Sequence, residues 1–143
     1  MPTAAADWPA DFIDANIWVY AFVEESAPSR KGAIAKQLVD RTGLAVSSQV
    51  INEFCNYLLR KTDAGEAKVA EAVQDFYRKC RVVELTQAIL LKASDLRTKY
   101  SLSFWDSLIV SAALASEAKT LYSEDMQDGL VVEGKLRIVN PFK

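Results

Sequence analysis

The chain has 143 residues, half of them apolar, which suits one domain built around one core and implies a single domain over 1–143. It contains no His, so His-ligated zinc, Ser-His and Cys-His nucleophilic sites and imidazole bases are all excluded. With 17 Lys+Arg against 19 Asp+Glu the net charge is −2, and no global basic field marks the chain as a nucleic-acid binder.

Asp11 to Asp14 reads as a short strand, and I-W-V-Y-A-F then opens a helix for which Asn16 is the expected N-cap. This most apolar N-terminal part is short and broken by Asp14, so no membrane span is expected. Nor does the N-terminus place a basic region before an apolar one, so no secretory signal is expected and cytoplasmic residence is. Pro28 begins a second helix that ends near Arg41, before Thr42-Gly43. Leu44 to Ser47 is a strand, and Ser48 is the expected cap of a helix with Val50, Ile51, Phe54, Leu58 and Leu59 on one stripe.

After Asp63-Ala64-Gly65 a further helix turns Val69, Ala72, Val73 and Phe76 inward, and R-V-V-E-L is a third strand. Thr86 caps a helix running to about Tyr100, and Ser103 opens the apolar helix F-W-D-S-L-I-V-S-A-A-L. Thr120 to Ser123 and Lys135 to Val139 are the last two strands. Short strands alternating with helices predict an α/β fold with a mainly parallel sheet covered on both faces. Cys55 and Cys80 form no C-x-x-C pair and read as small buried hydrophobes. The basic clusters Arg30-Lys31, Arg60-Lys61 and Arg78-Lys79-Cys80-Arg81 read as solvated helix ends.

On this outline four acids fall at the carboxyl ends of strands, where open α/β sheets bind ligands: Asp14, Glu53, Asp106 and Asp125. Each alone has a structural reading. Ser103 and Asp106 match a capping box in which Asp106 reaches back to the Ser103 amide, Asp125 fits turn chemistry ahead of Gly129, and Glu53 lies off the apolar stripe of its helix. Together they demand more. Two bare carboxylates about 4 Å apart repel by roughly 4 kcal/mol at an effective dielectric near 20, whereas a helix cap contributes about 1 kcal/mol. A converging set therefore calls for protons or cations, and oxygen-only ligation points to Mg²⁺ or Mn²⁺. Such an ion, or a pair, suits hydrolysis of a phosphodiester.

The motifs resemble those of the PIN-domain nucleases, most closely the VapC-type toxins of bacterial toxin–antitoxin pairs. F-I-D-A-N-I-W-V-Y-A-F is similar to the opening motif with Asp14 and Asn16, S-S-Q-V-I-N-E-F to the second with Glu53, F-W-D-S-L-I-V-S-A-A-L to the third with Asp106, and L-Y-S-E-D-M-Q-D-G to the fourth with Ser123 and Asp125. The resemblance implies a PIN-like α/β domain and an endoribonuclease using Mg²⁺ or Mn²⁺. It also implies an RNA substrate, a homodimer, and a cognate antitoxin whose peptide covers the acidic site. Ala15 stands where many such proteins carry Thr or Ser, so a hydroxyl beside the first acid is expected to be missing. The fourth motif leaves Asp128 open beside Asp125 as an auxiliary ligand through water.

Two other readings stay open. An aspartate phosphotransferase of haloacid-dehalogenase type also begins with a carboxylate after its first strand, but D-A-N puts Asn16 where its second Asp belongs. A non-catalytic module binding RNA or protein would gain nothing from gathering negative charge near phosphates.

Overall fold

A computed structural model describes residues 11–23 and 29–143. The elements in chain order are β1 (Asp11–Ile13), α1 (Ala15–Phe22), α2 (Arg30–Val39), β2 (Leu44–Ser47), α3 (Ser48–Lys61) and α4 (Glu66–Lys79). They continue with β3 (Arg81–Val83), α5 (Gln87–Lys99), α6 (Phe104–Ala115), β4 (Thr120–Tyr122), β5 (Val131–Val132) and β6 (Leu136–Val139). The sheet order is β3-β2-β1-β4-β6-β5, parallel throughout except where β5 pairs antiparallel with β6. Among the described residues no helix is long and apolar enough to cross a membrane.

The central strands are short and buried on both faces. Phe12, Ile13, Ala45, Val46 and Leu121 are wholly inaccessible, which explains why these segments read as continuous apolar runs rather than alternating ones. Strand order then determines where the helices go. The connections β1 to β2 and β2 to β3 step in one direction, while β3 to β4 crosses back past β1. With right-handed crossovers, α1–α4 cover one face and α5–α6 the other, and the packing follows: α1 lies on α2 and α3, α3 on α4, and α5 on α6. Trp18 and Phe54 each meet the Phe76 ring edge-on, at 4.9 Å and 5.4 Å between centroids, locking α1 and α3 to α4. The order reverses between β1 and β4, so the ligand crevice of such a sheet falls at their carboxyl ends.

The helix α6 is buried on all sides from Ser107 to Ala113. Its hydroxyls find partners: Ser111 Oγ donates to the Ile89 carbonyl at 2.7 Å, and Ser107 Oγ donates to the Phe104 carbonyl at 2.6 Å and accepts from Arg97 Nη1 at 2.6 Å. An apolar helix enclosed this way needs no amphipathic stripe.

Several sequence expectations shift by a residue or two. Asp14, not Asn16, is the N-cap of α1, because its backbone is still extended (φ −73°, ψ 161°) and its carboxylate accepts from the Ala15 amide. Ser47, not Ser48, caps α3 by accepting from the Val50 amide. Leu59 lies off the α3 stripe and is exposed. Arg30 and Lys31 sit in the first turn of α2, where the dipole does not favour cations; Lys31 instead pairs with Glu124, and Arg30 donates to the Phe142 carbonyl. The Pro28 start of that helix lies outside the described residues; its cap is Ser29. Cys55 is buried, but Cys80 is only partly so. The strand β5 was not expected. It is two residues long and pairs with β6 through a turn at Glu133 and Gly134, both at positive φ.

Candidate active site

Asp14 is the most buried of the four acids, 7% exposed at the end of β1. Both carboxylate oxygens are fixed: Oδ1 accepts from the Ala15 amide at 2.7 Å and Oδ2 from Ser123 Oγ at 2.8 Å. The register supplies this neighbour, since Ile13 pairs with Tyr122 and the next residues on the two strands are Asp14 and Ser123. Ser123, just after β4, thus gives Asp14 a hydroxyl partner, while Ala15 contributes only its amide. Burial raises the Asp14 carboxyl to a pKa of about 6; the two hydrogen bonds oppose that shift, and the charges of Glu53 and Asp106 add to it.

Asn16 joins α1 to the loop after β4. Its Nδ2 donates to Asp125 Oδ2 at 3.1 Å, and its Oδ1 accepts from the Glu124 amide at 3.4 Å. The Asp125 amide in turn donates to Ser123 Oγ at 3.3 Å. Ser123 thus contacts both Asp14 and Asp125. Glu124, between them in sequence, turns away to Lys31 and the Tyr20 hydroxyl. Although desolvation works the other way, these two donors hold its carboxyl below the ordinary range. Asp128 serves the loop: its Oδ1 accepts from the Asn140 amide at 2.8 Å.

Glu53 projects from the second turn of α3 and accepts from Gln49 Nε2 at 3.1 Å. Its carboxyl is pushed up by desolvation against that hydrogen bond, with Asp106 and Asp125 adding their charge. Asp106 lies in the first turn of α6. Its amide donates to Ser103 Oγ at 3.1 Å, so the cap is made by the Ser103 side chain to the backbone of residue 106. Partial burial raises the Asp106 carboxyl, opposed by Ser103 and assisted by Asp125.

The four acids thus come from four separated segments and act within one electrostatic field. Each is also tied to a neutral donor of its own, and among the described residues no three His, Cys, Asp or Glu side chains are arranged to hold a metal ion. The donor chemistry nonetheless fits a hard divalent cation. All four groups are carboxylates, burial at Asp14, partial desolvation at Asp106 and at the more exposed Glu53, and mutual repulsion disfavour the charged forms of these three, and a cation relieves both penalties.

A PIN domain family model matches residues 12–127, a span that contains all four acids. The chain belongs to the PIN domain family. Solved structures share its fold at low identity. A toxin–antitoxin complex from Klebsiella pneumoniae superimposes with a TM-score of 0.67 at 18% identity, covering 92% of this chain and 97% of the other. Mycobacterium tuberculosis VapC20, described as a sarcin-ricin-loop-cleaving toxin, gives 0.60 at 20% identity over 78% and 86%. VapBC2 from Rickettsia felis, bound to a fragment of its promoter DNA, gives 0.59 at 20% identity over 91% and 98%. No curated protein matches in sequence.

In this PIN domain Gln49 is the site residue that sequence reading missed. Its Nε2 reaches both Glu53 and the Trp105 carbonyl, the latter at 3.4 Å, and so links α3 to the start of α6. The four-residue spacing to Glu53 on one helix was its only sequence signal. A separate apolar groove between α1, α3 and α4, bounded by Trp18, Phe22, Phe54 and Phe76, contains none of the four acids.

Proposed function

We infer that the chain is a metal-dependent endoribonuclease, the toxin of a bacterial toxin–antitoxin pair, with Asp14, Glu53, Asp106 and Asp125 holding Mg²⁺ or Mn²⁺. One observation carries this reading: four carboxylates from four segments share one field at the switch point of a parallel sheet, in a chain without His. The whole chain acts as one nuclease domain, cytoplasmic and dimeric, restrained by an antitoxin protein. The toxin and antitoxin named in the similar structures support the biological setting.

A phosphodiester is an anion and is repelled by an acidic cluster, so cleavage at this edge requires a cation between the two. When bound, that cation activates water and stabilises the charge that develops on phosphoryl oxygens. The protein's own groups supply position. Ser123 and the Ala15 amide fix the Asp14 carboxylate, Asn16 aims Asp125, Gln49 aims Glu53, and Ser103 holds Asp106. Asn16 serves here as a positioning residue, which is not the general acid that a haloacid-dehalogenase mechanism requires.

The test is cleavage of single-stranded RNA by purified protein with Mn²⁺, with Mg²⁺ and with excess EDTA, alongside Asp14→Asn protein prepared in parallel. Cleavage that needs the ion and falls at least about 100-fold in the variant is the expected result. Cleavage undiminished by EDTA overturns the metal-dependent reading, and RNA binding with no cleavage under any condition favours the non-catalytic module.

A further inference from the structure

The outer side of α3 carries a polar stripe that the four-acid site does not use. Asn52, Asn56 and Arg60 follow at four-residue spacing, which stacks their side chains along one flank of the helix. With Gln49, Glu53 and Trp105 they line an open groove. Asn52 and Asn56 are exposed, and among the described residues neither amide has a hydrogen-bond partner and Arg60 has no carboxylate partner. Trp105 is 64% exposed, a large ring standing beside Asp106.

Gln49 fixes the wall of this groove by tying α3 to the start of α6. Its amide orientation is determined by its neighbours, since Glu53 Oε1 and the Trp105 carbonyl are both acceptors and only Nε2 can serve them. That leaves Oε1 facing inward, buried and without a donor.

We propose that this groove seats one nucleotide of single-stranded RNA next to the bond that is cut, with its base stacked on Trp105, its edge read by Asn52 and Asn56, and a neighbouring phosphate paired with Arg60. The inference rests on the nuclease reading above and deepens it by naming where specificity arises. The chemistry of the stripe fits this occupant. Side-chain amides offer both a donor and an acceptor and so read base edges. Exposed aromatic rings take unstacked bases, and Arg pairs with phosphate. Asn52 to Arg60 spans about 12 Å of helix, enough for a base and its flanking phosphate. The polarity also fits, because the groove runs from the acids, which need a cation before they accept a phosphate, to a cation that accepts one directly.

The experiment uses Asp14→Asn protein, chosen to prevent cutting during the measurement, and short single-stranded RNAs of mixed sequence, with Trp fluorescence as the readout. Saturable quenching is expected. Adding Trp105→Leu should abolish the quench and weaken binding at least about tenfold. Adding Arg60→Gln should weaken all sequences alike and reduce the slope of log affinity against log salt by about 0.7. Asn52→Ala and Asn56→Ala should change which sequences bind best. If Trp105→Leu and Arg60→Gln bind RNA as tightly as their parent, the groove is not the subsite. If Trp105→Leu changes the oligomeric state in ultracentrifugation while RNA binding persists, Trp105 is a protein contact and the proposal fails. Cleavage by protein with an intact Asp14 separates the two levels. Quenching at the groove without cleavage in Mn²⁺ defeats the nuclease reading alone, whereas cleavage with unchanged preference in all four groove variants defeats the groove alone.

Discussion

Replacing Asp14 by Asn should stabilise the metal-free protein, and only at pH values where Asp14 is ionised. The carboxyl has a pKa of about 6 in the folded chain against 3.8 for the free group, chiefly because it is buried. For an acid with a raised folded pKa, the folded state binds more protons between those two values, so stability falls as pH rises from about 4 to about 6. A shift of this size corresponds to roughly 3 kcal/mol at pH 8. Asn avoids that cost but not without loss. Its Oδ1 still accepts from the Ala15 amide, yet its Nδ2 faces the Ser123 hydroxyl, which must turn from donor to acceptor at a cost of about 1 kcal/mol. The expected net gain is about 1–2 kcal/mol at pH 8, or roughly 5 °C in Tm for a domain of this size. Near pH 4, where Asp14 is protonated in the folded state and about half protonated in the unfolded chain, most of the burial cost is gone and the gain should vanish. Thermal melts of both proteins in EDTA at the two pH values check this. A variant less stable than the parent at pH 8, or a difference that does not depend on pH, refutes the burial argument.

Asp106→Asn should change metal-free stability by no more than about 1 kcal/mol, because the Ser103 cap is made to the backbone amide of residue 106, while RNA cleavage falls by orders of magnitude. Parallel melts and cleavage assays test it; a variant that keeps full cleavage makes Asp106 a capping residue only. Expression of the chain without a partner should arrest bacterial growth, and expression of the soluble Asp14→Asn form should not. Equal growth with both soluble proteins counts against the toxin setting.

The parallel architecture was legible because its signals are local. Gly43 and the apolar run Leu44 to Val46 mark a buried strand, and Thr86 and Ser103 mark helix starts where the structure has them. Caps at strand-to-helix junctions were harder. Ser47 is the last residue of its strand and Asp14 the first residue after its strand, and each is itself the cap, so the helix begins one or two residues before the sequence signal suggests. The β5–β6 hairpin was missed because its first strand holds only Val131 and Val132, too short for any period to register. The four acids were singled out by their places after strands, a topological property that sequence order carries. Gln49 was not, because its role depends on a contact across 56 residues to the Trp105 carbonyl. The difference between Asp125 and Asp128 likewise lies in three dimensions: Asn16 Nδ2 donates to the former, and the Asn140 amide donates to the latter.

The central claim is that Asp14, Glu53, Asp106 and Asp125 form one cation site, and calorimetric titration with Mn²⁺ tests it most directly. The parent protein and the variants Asp14→Asn, Glu53→Gln, Asp106→Asn and Asp125→Asn are titrated at pH 8, and the parent is titrated again at pH 5. The account predicts saturable binding by the parent at pH 8, affinity at least about tenfold lower in every variant, and weaker binding at pH 5, where Mn²⁺ must displace a proton from Asp14. Parent-like affinity in Asp14→Asn or Asp106→Asn, or no Mn²⁺ binding by the parent at pH 8, would contradict it.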